Sequence, residues 1–281
     1  MSIFRYNCDE NIFNTLRKKQ EIRKLHLVDV KDINIPELKV YKTLRDNAFD
    51  DANSFIADSP KVVNLLLQSD IEVRSILATQ EYYDAFKALI QTRNIDALYV
   101  CDKALMQTIV GHKIHHNCMM HGVRPEQSDL EALGDNILML DEITSTENIG
   151  AIARSMAALG VESYVLPKTS PHPYGRRALR VSMGYMSHLK YHIYNDIFTT
   201  IEMLKSNGYR IFAAEVSEDA TALWDVKIPQ KWVILMGHEG KGISKELLEL
   251  CDEVVSIEMQ ENVKSFNVGV AASLMMYRFM R

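Results

Sequence analysis

Three short stretches in the carboxyl-terminal half carry side chains suited to chemistry. In Trp232-Val-Ile-Leu-Met-Gly-His-Glu-Gly-Lys-Gly-Ile-Ser244, five apolar residues run into a loop holding Gly237, Gly240 and Gly242, and Ser244 then opens a helix. Glycine lets a backbone turn sharply and bring its N–H groups near a ligand. Asp141 to Gly150 reads as a polar loop with Asn148, ahead of an alanine-rich helix whose one charge is Arg154. Gln260 to Asn267 gathers Asn262, Ser265 and Asn267 before a very apolar helix. Each has a plainer alternative. The last cluster can simply cap its helix, Arg154 can snorkel from a packed face, and Glu239 can be a solvated loop acid. In a parallel sheet, loops that follow strands collect at the carboxyl edge, so the three can form one site. The chemistry indicated is binding of a nucleotide-like ligand. The Gly-x-Gly-x-x-Gly and phosphate-loop patterns are absent, and no serine elbow or paired-acid motif stands out.

The elements that must position these groups alternate between strand and helix. Strands are expected at Phe55–Ala57, 72–78, 97–100, 136–140, 164–166, 209–216, 232–236 and 253–259. Helices are expected at 38–44, 60–67, 81–92, 104–109, 151–159, 196–207, 244–250 and 267–279, with a helical start at Arg176 and a short helical piece or turn at 220–224. The reading is α/β with a mostly parallel sheet in the larger, second domain. Residues 1–35 form an accessory segment with a helix from Glu10 to Leu27. Residues 36–125 form a small α/β domain, 126–134 a linker and 135–281 the larger domain.

The 281 residues carry a formal charge of −5, which by itself argues weakly against nucleic acid. The distribution differs from the sum. From Ser163 to Asn195 there is no Asp or Glu, while Lys168, Arg176, Arg177, Arg180 and Lys190 lie inside, and His172, His188, His192 and His238 can add protonation beside an anion. His112, His115, His116 and His121 with Cys118 are zinc-ligand types. On a strand, however, His115 and His116 point to opposite faces, so a polar strand or loop facing substrate or the domain seam is expected and no metal. Cys8, Cys101, Cys118 and Cys251 show no disulfide framework, and no run nears the roughly 18 apolar residues of a membrane span. A cytoplasmic protein is expected.

At the three stretches the sequence resembles the SpoU/TrmH-type RNA 2′-O-ribose methyltransferases of the SPOUT class. The resemblance rests on Asn148-Ile-Gly150 with Arg154 and Ala157-Ala-Leu-Gly-Val161, on Met236-Gly-His-Glu-Gly-Lys-Gly-Ile-Ser244, and on Ile257-Glu-Met with Ser265-Phe-Asn-Val-Gly-Val-Ala271. Arg180-Val-Ser-Met-Gly184 adds a fourth segment. It departs from the family at Ser145-Thr146, where Asp-Pro is common, at Glu258 in place of Pro, and at Phe266 in place of Leu.

The resemblance implies a deep trefoil knot in the second domain and a ribosomal-protein-like substrate-binding domain at 36–125. It implies S-adenosylmethionine as cofactor, bordered by Ala214, Glu215, Met236, Gly237, Gly242, Ile257, Met259, Phe266 and Val268. Arg154 would activate or orient the ribose hydroxyl, Asn148 would position Arg154 or the RNA, Glu239 would contact the target nucleotide, and Ser265 and Asn267 would hold the loop and substrate. Lys168, Arg176, Arg177 and Arg180 would bind RNA phosphates. A homodimer through the closing helix is expected, with ribosomal or transfer RNA as partner and no metal. An inactive RNA-binding protein of this fold, or a methyltransferase for a non-RNA substrate, remain the alternatives.

Overall fold

Strand β11 (Trp232–Met236) lies near the centre of a seven-stranded parallel sheet. Over its full length it pairs with β6 (Asn136–Leu140) on one side and β9 (Arg210–Ala214) on the other. Both its faces are covered. Trp232, Ile234 and Met236 pack with Met275 and Phe279, while Val233 and Leu235 pack with Ile201, Leu204 and Leu247. That two-sided burial is why the sequence shows an unbroken apolar run rather than alternation. Beyond β6 come β7 (Ser163–Pro167) and β8 (Lys190–Tyr194). Beyond β9 come β12 (Glu253–Ser256) and β10 (Thr221–Ala222). The computed structural model describes residues 25–42, 53–217 and 219–281.

The sheet is clothed by α5 (Thr146–Leu159), α6 (Arg176–Val181), α7 (Ile197–Ser206), α8 (Lys245–Leu250) and α9 (Val268–Phe279), numbered after four helices of the smaller unit. The smaller unit has a five-stranded mixed sheet in the order β1 (Leu27–Asp29), β4 (Ile95–Val100), β3 (Val73–Ala78), β5 (Cys118–Val123), β2 (Ser54–Asp58). Its helices are α1 (Lys39–Lys42), α2 (Pro60–Leu67), α3 (Gln80–Ile90) and α4 (Lys103–Val110). One continuous apolar cluster joins the units. It includes Phe55, Val62 and Leu66 from the smaller and Tyr174, Leu179 and Met186 from the larger. The Phe55 and Tyr174 rings lie 5.7 Å apart across the seam.

Three local readings change. Leu27, expected to end a helix that starts at Glu10, instead opens a strand, Leu27–Asp29, paired with Leu98–Val100; Leu25 and His26 before it are not helical, and residues 10–24 of that helix lie outside the described residues. Strand β8 was not foreseen; it is a short edge strand in which Lys190 and His192 alternate with Tyr191 and Ile193. Thr221–Ala222 is a two-residue strand, fixed by pairing with Val255 and Ser256, so of the helical piece or turn expected at 220–224 a turn is found at Leu223 and Trp224.

Asn148 and Gly150 belong to the first turns of α5 rather than to the loop before it. Ser145 caps this helix by accepting from the Asn148 N–H at 3.3 Å. Gly150 is there for contact. A Cβ on it would lie 2.6 Å from the Ala178 carbonyl oxygen and 2.8 Å from Val181 Cβ, both on α6. Gly150→Ala gains up to about 1 kcal/mol of helix propensity. Overpacking typically costs about 1–3 kcal/mol, and here a backbone carbonyl would have to move. Net destabilisation of about 1–2 kcal/mol is therefore expected in urea unfolding.

Candidate functional site

The carboxyl ends of β9, β11 and β12 open into a cavity of about 540 Å³. Ala214 and Glu215 enter from β9, and Met236 and Gly237 from β11. Gly242 closes the glycine loop beneath it. Ile257, Met259, Phe266 and Val268 bring the third loop and the start of α9 to its wall. All nine residues singled out around a cofactor thus line one space.

The glycine loop is tightly folded. Gly242 donates its N–H to the His238 carbonyl at 2.9 Å and has φ +68°. The Glu215 carboxylate accepts from the Ile243 N–H at 2.8 Å and from the Val216 N–H at 3.0 Å. A side chain at Gly242 would displace that carboxylate from the loop, and the positive φ there favours glycine in its own right.

A chain of side-chain hydrogen bonds ties the three loops together. Asn148 Nδ2 donates to Glu239 Oε1 at 3.0 Å, and Asn267 Nδ2 donates to Asn148 Oδ1 at 3.1 Å. Asn267 Oδ1 in turn accepts from the Gly269 N–H at 3.0 Å, capping α9. The capping role and the polar cluster are therefore the same residue. Burial raises the Glu239 carboxyl, but the Asn148 amide and nearby backbone N–H groups outweigh it and hold the acid below its ordinary value. Glu239, Ser265 and Asn267 also line the cavity, whereas Asn148 meets it only through Glu239 and Asn267. Arg154 is exposed on α5, outside the lining, with no hydrogen bond or ion pair among the described residues.

The acid-free stretch is less available than its sequence suggests. Arg176 and Arg180 both bind the carboxylate of Asp58 at the end of β2, Arg176 at 2.8 Å and Arg180 through Nε at 2.8 Å. The Asp58 side chain is 6% exposed, so this is a clamp across the seam between the units. Arg177 pairs with Glu147 on α5, and Lys168 is exposed after β7. His172 does not add charge. Burial first, and the nearby Arg124 second, push its pKa down to about 3, and its Nδ1 accepts from the Tyr174 N–H at 3.0 Å. It is a neutral packing group between Tyr174 and Tyr191.

Sequence reasoning did not find Asp58, a single acid at a strand end with no local signature. It also missed Val216, Val255 and Ser256 in the cavity wall, although the carboxyl-edge rule applied to β9 and β12 would have included them. Among the described residues, no group of three or more His, Cys, Asp or Glu side chains is placed to hold a metal. None of their helices is long and apolar enough to cross a membrane.

The SpoU rRNA Methylase family profile matches residues 135–277, just over half of the chain. The chain belongs to the SpoU rRNA Methylase family. The match covers the whole seven-stranded unit except α9's last residues, and includes every element that borders the cavity. A Staphylococcus saprophyticus protein assigned to the TrmH family of tRNA/rRNA methyltransferases is 34% identical over 145 residues, 52% of this chain and 58% of its own length. A Staphylococcus haemolyticus counterpart is 33% identical over 155 residues, 55% of this chain and 61% of its own length. The chain thus spans about three fifths of these curated relatives.

Among solved structures, the AdoMet-bound rRNA methyltransferase of Sinorhizobium meliloti superimposes with a TM-score of 0.77 at 19% identity, covering 90% of this chain and 97% of that one. The SpoU methyltransferase AviRb of Streptomyces viridochromogenes, in complex with AdoMet, gives 0.74 at 20% identity, covering 87% and 97%. These likenesses extend over both units and establish the fold. The SpoU unit has the parallel sheet of the knotted SPOUT class, an exception to the rule that chains avoid knots.

Proposed function

We propose that this chain transfers a methyl group from S-adenosylmethionine to a ribose 2′-hydroxyl of structured RNA, either ribosomal or transfer RNA. The observation that carries the reading is the cavity at the carboxyl edge together with the Glu239–Asn148–Asn267 chain that locks its three loops. The cavity falls within the roughly 300–1,000 Å³ of small-molecule sites. Its walls suit the cofactor. Met236, Ile257, Met259, Phe266 and Val268 offer apolar contact to an adenosine, and Gly237 lets the backbone come close.

When bound, S-adenosylmethionine supplies an electrophilic methyl group. The chain's own residues prepare the oxygen that receives it. Arginine is a poor base because its pKa lies far above neutrality. Arg154 instead holds the phosphate next to the target ribose, and that phosphate helps take the hydroxyl proton. Glu239, fixed by Asn148, contacts the target nucleotide, while Ser265 and Asn267 hold the third loop against it. Positioning of this kind can contribute several kcal/mol to lowering the barrier.

Residues 36–125 serve as the RNA-binding domain, residues 126–134 as the linker and 135–281 as the catalytic domain. The working form is a homodimer. Val270, Leu274 and Tyr277 leave one face of α9 40–51% exposed, and Trp224 nearby in sequence to the sheet edge is 64% exposed. Val268, Met275 and Phe279, on the other face, are buried in the chain's own core. Arg154 lies on α5, the helix packed against α9, which suits a site completed where two copies meet. The reading places the protein in the cytoplasm, in keeping with three unpaired cysteines among the described residues.

Calorimetric titration with S-adenosylmethionine, followed by a labelled-methyl screen on ribosomal and transfer RNA, tests this. Saturable binding and nuclease-sensitive label are expected. Folded protein that takes no cofactor even with RNA present would overturn the transfer reading, and label that survives nuclease treatment would overturn RNA as substrate.

A further inference from the structure

Helix α6 has six residues, too few to hold its place alone, since isolated helices under about 12–15 residues are marginal in water. Its position is therefore set by what grips it. On one side Arg176 and Arg180, four apart, reach across the seam to Asp58. Their own stretch, Ser163 to Asn195, holds no acid for them. Just beyond the helix, Gly184 at φ +86° rests on α2. A Cβ there would lie 3.1 Å from Leu65 Cδ2 and 3.4 Å from the Val62 carbonyl oxygen. Both holds come from the smaller unit.

The acid itself sits on constrained backbone. Asp58 ends β2 opposite Met119, and its side chain is 6% exposed. The next residue, Ser59, has φ +79°, a conformation that a non-glycine residue keeps only where its surroundings impose it. Pro60 then starts α2. Both carboxylate oxygens of Asp58 are given to the two arginines, and the acid takes no part in the cavity wall.

The other side of α6 is the seat of α5. The Ala178 carbonyl and Val181 meet α5 at Gly150, where a methyl group would collide with both. Arg177 pairs with Glu147 in the first turn of α5. Asn148 follows at once, and Arg154 stands one turn beyond Gly150. A shift of α6 is thus a shift of the helix that carries both.

We propose that Asp58 is a positioning residue for methyl transfer: from the smaller unit, through Arg176 and Arg180, it fixes α6 as the seat on which α5 presents Asn148 and Arg154 to the target ribose. This rests on the transfer reading above. The dependence is steep, because a misplacement of about 1 Å caused far from the chemistry can cost about a hundredfold in rate.

Asp58→Asn keeps the shape and one acceptor oxygen but removes the charge that holds two arginines. Single-turnover transfer at saturating S-adenosylmethionine, with bulk transfer RNA and fragmented ribosomal RNA as substrates, is expected to slow by about ten- to a hundredfold. RNA affinity by anisotropy and cofactor affinity by calorimetry should stay within about threefold. Because the two residues act in series, Asp58→Asn combined with Arg154→Ala should be slower than Arg154→Ala alone by less than about twofold. Fully additive losses would make Asp58 a general support of the fold and overturn the proposal. Tighter RNA binding at wild-type turnover would also overturn it, since the clamp would then be a restraint on cations that bind RNA. Arg180→Lys keeps its charge, loses the fork and leaves the Asp58–Arg176 pair, so it serves where Asp58→Asn does not fold. A milder loss of the same kind, about three- to tenfold, is expected. Amide hydrogen exchange on these proteins needs no RNA. It should quicken in α6 and in residues 146–153 and stay as it is in β9 and β11. Unchanged exchange in α5 overturns the proposal. Wild-type protein that labels neither RNA sinks the transfer reading, and the exchange result then decides separately whether Asp58 holds α5.

Discussion

Arg154→Ala is expected to lower methyl transfer by about a hundred- to a thousandfold, the loss typical when one preorganised donor is removed from a reacting centre. Cofactor affinity should stay within about threefold, because Arg154 lies outside the cavity wall. The fold should also be indifferent. Arg154 is exposed and makes no ion pair among the described residues, so its removal leaves no buried partner unsatisfied. Single-turnover transfer and calorimetry on one preparation check both halves. Normal turnover would remove Arg154 from the reaction. Parallel loss of cofactor affinity would make it part of the cavity instead.

Gly237→Ala should act in the opposite way, on binding before chemistry. A Cβ there would lie 2.6 Å from Ile243 Cγ1, 2.7 Å from the Gly242 carbonyl carbon and 2.9 Å from its oxygen. Gly242 cannot step aside. Its N–H is bound to His238, and the next residue is held by Glu215. Relief requires the loop to open at an overpacking cost of about 1–3 kcal/mol, which converts to roughly a 5- to 150-fold loss of S-adenosylmethionine affinity. Gly240→Ala is the matched control. The nearest atom to a Cβ there is His238 Cε1 at 3.7 Å, ordinary contact, so affinity should change by less than about twofold. Equal affinities for the two variants would show that the loop does not shape the cavity.

Much of this site could be read before any coordinates, for identifiable reasons. Strand β11 declared itself because both its faces are buried, and the three loops could be joined because parallel strands deliver their carboxyl ends to one edge. The motif residues then named the cavity wall. What could not be read depended on partners remote in the chain. Asp58 meets Arg176 and Arg180 from 118 and 122 residues away, and no local pattern distinguishes such an acid from a solvated one. The cations of the acid-free stretch were visible, but their occupation was not. Thr221–Ala222 becomes a strand only by lying beside β12, and Leu27–Asp29 only by lying beside β4. Asn148 was assigned to a loop because Ser145, three residues earlier, gives no apolar period of its own; it is a cap.

The apolar cluster that runs from Phe55 and Leu66 through Leu179 to Trp232 and Phe279 makes the two sheets thermodynamic neighbours. Neither can lose its packing without baring the other's. A ligand taken up in the cavity at the carboxyl ends of β9, β11 and β12 is therefore expected to slow amide hydrogen exchange in β2 and β5, which it never touches, through the core they share.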